Sequence, residues 1–329
     1  MQPASLFTPG QELGRFARGQ LNLRLKESVE HVLEASDGVL TSNSDRAHAL
    51  MQALAQGAVS NPFLFAHFFA LVDEIEGENY ELAQSRLDDL LAAPFQLEGI
   101  DPICRYHPSS FDDEALAVIK RHFRTSEGKE IIALSGADNG PSFLAQAQRC
   151  RSMLQDMAPR TFAEIGEATT SLIIAQGIPR ENGIQFGGIS NLRMWSLICI
   201  NETHKKNDLE LCEAIAHECA HCTLFGLSPF TFFVENPESE RYQSPLRYDP
   251  RPLDGIYHAV FVLARMHFAV GEMLNSGKLD AENVEEAKRL MERSKENFFD
   301  GYGVLQEHAR YTDQGKLIIE DTLRYMNSV

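Results

Sequence analysis

Residues 212–226 read CEAIAHECAHCTLFG. Between Ala214 and Leu227 the only charged side chain is Glu218; the rest is Ala, Ile, Cys, Thr, Leu, Phe and Gly around His217 and His221. Such a run predicts a helix buried over most of its circumference. Residues four apart are neighbours on a helix, with Cβ atoms roughly 5–6 Å apart. Both imidazoles of this H-E-x-x-H motif therefore point the same way and can hold one divalent ion. A carboxylate and two imidazoles are costly inside an apolar helix without a partner, and a metal supplies one. The competing reading is two core histidines satisfied by backbone carbonyls.

Outward from this helix, size and composition set bounds. The 329 residues suffice for one large domain or two modest ones. The longest apolar runs, 63–72 and 258–270, are broken by His or Arg and fall short of the roughly 20 residues that span a bilayer. The opening MQPASLFTPGQE has no basic segment followed by an apolar core, so it does not read as a secretory signal, and the cytoplasm is the expected location. A formal charge of −17 argues against nucleic acid and anionic membranes as partners. Three of the six cysteines, Cys212, Cys219 and Cys222, lie on the motif helix. Cys219 to Cys222 makes a C-x-x-C, the spacing of a redox pair or zinc knuckle, but cysteines on a buried helix usually act as small apolar fillers, and no second C-x-x-C completes a four-cysteine site.

Periodicity and caps predict helices over about 10–35, from Ser44 or Asp45 to about 58, from Pro62 onward, over 79–91, 112–123 and 142–157, and after Pro159. Phe63, Phe65, Phe68, Phe69 and Leu71 are expected in the core. Residues 101–110 read as a loop and 185–191 (QFGGISN) as a glycine-bearing turn. Strands are expected at 130–134, 171–175 and 194–200 (MWSLICI), the last edge-like and just before the motif helix. Asn207 or Asp208 caps that helix. Charged helices are expected over 280–305 and 313–326. The fold class is α+β, predominantly helical, with a small sheet beside the buried HExxH helix; a zincin-like helix arrangement is one form of it. A soft boundary separates a helical region, 1–125, from a metal-binding catalytic region, 126–329, with packing of the two as a single domain as the alternative.

The third ligand decides the chemistry. In a zinc peptidase of the thermolysin type it is a downstream Glu, with the motif Glu as general base. Glu235, Glu238 and Glu240 are the candidates, but FFVENPESERYQSP reads as a polar loop. The metzincin third His is absent from HECAHCTLFGL. His258, 258 − 221 = 37 residues on, lies in the apolar helical stretch DGIYHAVFVLARMHFAV, with chain enough to return as an antiparallel helix. A lone His on such a helix is also an ordinary core residue. His267 is about half a turn out of phase with it. Just upstream, Pro250 and Pro252 stiffen the backbone around Arg251. A guanidinium there, or at Arg247, suits bidentate capture of a carboxylate, or else a salt bridge with Asp249 or Asp254.

HExxH followed by SPLRYDPRPLDGIYHAV resembles the HExxH-domain proteins found beside ribosomal peptide natural-product clusters, described as 2-oxoglutarate-dependent iron peptide β-hydroxylases. The marks are the HExxH helix, an R-x-D-P-R-P segment and a following G-x-x-H. They fall on His217, Glu218, His221, Arg247, Asp249, Pro250, Arg251, Pro252, Gly255 and His258. The likeness extends over roughly 160–270 and includes the FGGISN…LICIN region. It implies Fe(II) held by His217, His221 and His258, 2-oxoglutarate held at its far carboxylate by Arg247 or Arg251, O2 as cosubstrate, and a peptide or amino-acid substrate. Glu218 would fix a His tautomer, act as a base, or help balance the ion's charge. Two rivals stand beside this: a zinc metallopeptidase with Glu218 as general base, and a non-enzymatic helical binding protein with a structural metal. Oligomeric state and substrate identity are left open.

Overall fold

Two apolar runs, LIIA at 172–175 and LICI at 197–200, lie side by side as parallel strands. Both are buried along nearly their whole length, as continuous apolar runs inside a parallel sheet are. The computed structural model describes residues 3–58, 61–93, 102–124, 128–136, 140–179, 186–204, 206–244 and 250–329.

The sheet has five strands: β1 (Ile103–Arg105), β2 (Ile132–Ala133), β3 (Ser171–Gly177), β4 (Gly188–Ser190) and β5 (Leu197–Asn201). Their order is β1-β3-β5-β4, with β2 also paired to β3. β1, β3 and β5 are mutually parallel, whereas β2 and β4 run antiparallel to their neighbours. Three expectations are corrected here. Within the expected loop 101–110, Ile103–Arg105 is a strand, because β3 offers it a free edge. The glycine-bearing turn contains β4, which pairs with β5. The segment 194–200 is not an edge strand: a 3₁₀ turn, Leu192–Met194, and a left-handed Ser196 (φ 74°) delay the strand to Leu197, and it lies between β3 and β4.

Eleven helices accompany the sheet among the described residues, and the fold is predominantly helical α+β. They are α1 (Gln11–Ala35), α2 (Ser44–Ala55), α3 (Pro62–Glu76), α4 (Tyr80–Ala92), α5 (Asp113–His122), α6 (Gly140–Met157), α7 (Pro159–Ala168), α8 (Asp208–Leu227), α9 (Leu253–Asn275), α10 (Ala281–His308) and α11 (Asp313–Met326). Asn43, not Ser44 or Asp45, caps α2, accepting from the Arg46 amide. That helix stops at Ala55, just before the left-handed Gly57. On α3, Phe63, Phe65, Phe68 and Leu71 are buried as expected, but Phe69 is half-buried beneath the Arg193 guanidinium. No described helix is long and apolar enough to cross a membrane.

The chain forms two compact units of interleaved segments. The first comprises 1–17, 145–168 and 205–329; the second comprises 18–144 and 169–204 and contains the sheet. The second unit's core joins Phe63, Tyr106, Phe111, Ile119 and Phe123 to Ile173, Leu197 and Cys199. The first unit's core joins Phe7 and Leu13 to Ala220 and Leu224 of α8, Tyr257, Val260 and Phe261 of α9, Phe298 of α10 and Ile318 of α11.

Candidate metal centre

The motif helix begins as its sequence directs. Asn207 accepts a hydrogen bond from the Glu210 amide, and the Glu210 carboxylate accepts one from the Asn207 amide. This capping box satisfies two amides that a helix start would leave open. Cys212, Cys219 and Cys222 are buried thiols, as expected of fillers. Glu213, buried on the same helix, pairs with Arg293 of α10 at 2.7 Å.

His217 and His221 rise one turn apart, with ring centroids 5.0 Å apart. The donor atoms of His217, Glu218 and His221 all lie within 4.8 Å of one another. Glu218 is buried, and its Oε1 is 3.8 Å from His217 Nε2. Helix α9 sets a further imidazole beside one of them: His258 Nδ1 is 3.3 Å from His221 Nδ1, outside the group of three. Along α8 from 217 to 221, the partner on α9 moves back from Met266 to His258, so the two helices run antiparallel. Two nitrogens that share one ion at about 2.1 Å stand about 3.0–3.4 Å apart at octahedral to tetrahedral angles. The His221–His258 pair has that spacing.

Burial keeps the His221 and His258 rings neutral. Burial lowers the His221 pKa well below the usual imidazole value, and the charges His217 and His258 would carry lower it further. Burial also lowers that of His258, partly opposed by Asp254. Neutral imidazole is the form that binds a metal. Asp254, one turn before His258, lies with Oδ2 3.6 Å from His258 Nε2, while its Oδ1 accepts the Phe233 amide at 2.9 Å. At that separation the carboxylate acts on the ring by charge, which opposes the effect of burial on the His258 pKa. Phe225 and Phe233 pack against His258, with centroids 5.3 and 5.4 Å from it, and Phe233 stacks on Tyr257 at 4.7 Å. The centre is more open on its other side: the His217 side chain is 33% exposed and that of His258 15%.

A buried ion pair joins the helices behind the donors. Glu164 of α7 accepts from Thr223 of α8, at 2.7 Å, and from Arg265 of α9. The Gly10 amide reaches the same carboxylate, and Arg265 also donates to the Phe7 carbonyl. One carboxylate thereby ties α8 to α9. Gly226 adds a close approach, since a Cβ there would lie 2.7 Å from the Ala17 carbonyl oxygen.

The remaining site residues divide. Arg251 is pinned by a two-way backbone pairing with Tyr242, both bonds 2.9 Å. Arg247 and Asp249 lie outside the described residues. Neither the loop acids nor His258 joins the donor cluster: among the described residues the group of three or more metal-type donors is His217, Glu218 and His221, and His258 approaches it through His221. Glu235 and Glu238 are exposed. Glu240 accepts from Tyr242 at 2.6 Å and from Asn236 at 3.1 Å, bonds that lower its pKa. His267 is buried elsewhere, against Tyr325 at 2.7 Å.

Sequence reasoning missed Phe225, Phe233 and Met266 as neighbours of the imidazoles, and it gave Asp254 a different role. Asp254 and Phe225 had a signal, their four-residue spacing from His258 and from His221. Compared with known proteins, the chain matches no family model and no curated protein.

Proposed function

We propose that the chain is an iron(II)- and 2-oxoglutarate-dependent oxygenase that hydroxylates a side chain, at its β-carbon, in a peptide or amino-acid substrate. The observation that carries this reading is the 3.3 Å approach of His258 to His221. It supports a third imidazole from a second helix in place of a loop carboxylate. When bound, iron(II) with 2-oxoglutarate and O2 supplies the oxidising power to replace an unactivated C–H hydrogen by hydroxyl. His217, His221 and His258 would hold the ion. Asp254, with Oδ2 3.6 Å from His258 Nε2, acts on that ring through its charge and not through a hydrogen bond. Phe225 and Phe233 keep water from the His258 side of the centre. Arg251 or Arg247 would grip the far carboxylate of the cosubstrate, for which a planar guanidinium is suited. Three neutral imidazoles leave the ion's charge to that dianion or to Glu218.

The test is spectroscopic. Protein loaded anaerobically with Fe(II) and then given 2-oxoglutarate should develop a visible charge-transfer band. Failure of the band, with stoichiometric zinc uptake by the same protein, removes the oxygenase.

One observation favours a second reading: Glu218 is buried within the donor group, where a peptidase base would stand. A zinc peptidase of that kind would work without oxygen and would survive replacement of His258.

A further inference from the structure

Met266 follows Arg265 on α9, and its Sδ is 3.1 Å from His217 Nδ1. Two lone pairs at that distance repel, so the attractive arrangement places the hydrogen on Nδ1. His217 then keeps its lone pair on Nε2, the atom on the Glu218 side. Metal-binding histidines ordinarily donate this second N–H to a carboxylate, a carbonyl or water. Here the acceptor is a thioether, which is weak as an acceptor and, unlike those oxygens, open to oxidation. Met266 is half-buried, and the His217 side chain is 33% exposed, so a small oxidant reaches the pair.

We propose that Met266 is a modification site that governs metal retention: a hydroperoxide converts its thioether to the sulfoxide, and the His217 imidazole loses its set orientation. The sulfur forms a bond to one peroxide oxygen while the O–O bond breaks. Sulfur gives up two electrons, and the other oxygen leaves, takes a proton and becomes water or an alcohol. The new oxygen has no room between Sδ and Nδ1 at 3.1 Å, so either the ring swings or the sulfoxide turns away. This inference rests on the histidines being a metal centre, not on the identity of the reaction.

The experiment treats metal-free full-length protein with hydrogen peroxide, maps oxidised methionines by peptide mass, and measures Co(II) affinity before and after. Met266 should gain one oxygen, and the Co(II) Kd should rise by about tenfold, the lower end of what losing a supporting partner of a ligand costs. Methionine sulfoxide reductases should restore the original affinity. Met266→Leu keeps the other 9 − 1 = 8 methionines, and peroxide should leave its affinity unchanged; should that variant not fold, reversal by the reductases decides. The inference is overturned if half-buried Met51 and Met153 are oxidised while Met266 is not, or if oxidised Met266 leaves the Kd unmoved. It is equally overturned if peroxide weakens the Leu variant as much as the native chain. Untreated protein that binds no Co(II) overturns the metal centre along with it, whereas a missing 2-oxoglutarate band in protein that does bind metal bears on the oxygenase reading alone.

Discussion

His221 on α8 and His258 on α9 face each other Nδ1 to Nδ1 across 3.3 Å. If both lone pairs point at one ion, removing either ring takes away a ligand. His258→Ala should lower Fe(II) or Co(II) affinity by more than the roughly 10–100-fold typical of supporting partners, with the circular dichroism of the helices unchanged. Titration of metal into both proteins checks this, and equal affinity would return His258 to the core.

The arginine clamp separates cosubstrate from metal. Losing a charge-assisted contact worth about 1.5–3 kcal/mol weakens binding by roughly 10–150-fold. Arg251→Ala or Arg247→Ala should therefore raise the 2-oxoglutarate Kd into that range and leave metal content intact. Anaerobic titration of the charge-transfer band measures it. Unchanged affinity in both variants would remove the clamp.

Acid should destabilise the metal-free protein in a defined window. Burial, helped by nearby positive groups, lowers His122 and His267 to about 4. Unfolded histidine titrates near about 6.5. Below that value the unfolded chain binds protons that the folded chain refuses, so stability is full above it and falls as pH drops toward 4. Melting temperatures recorded in steps from neutral pH downward should begin to fall below about 6.5. A rise over the same interval would contradict the burial of these rings.

The Arg265–Glu164 pair is buried at both ends, 4% and 3% exposed. Breaking such a pair from one side leaves an uncompensated charge and costs about 3–5 kcal/mol. Arg265→Ala should lose that much in urea denaturation. The double variant with Glu164→Gln should lose less than the two single losses added together. Strict additivity would mean the two side chains act separately.

The elements legible in the sequence were those with a local cause. Residues 208–227 announced a helix through the Asn207 cap and an apolar run, and Pro62 opened α3 where expected. The three-residue strands at 103–105 and 188–190 carry no periodicity; they exist because β3 and β5 present partners. The interior place of β5 is likewise a property of its neighbours. The His217–His221 pair follows from helical spacing, and His258 is a candidate from its apolar helical stretch, strengthened by the motif preceding it. Phe233 and Met266 depend on how separate segments pack around those rings, which no spacing within one helix encodes.

The interleaving of the two units has a practical outcome for dissection. A fragment starting at residue 126 would lack β1, an edge of the sheet, and also the Phe7 carbonyl and Gly10 amide that complete the Arg265–Glu164 anchor. One cut thus damages both bodies at once. Severing the chain at that point should yield insoluble or protease-sensitive pieces, and neither would be a fair sample of the intact protein.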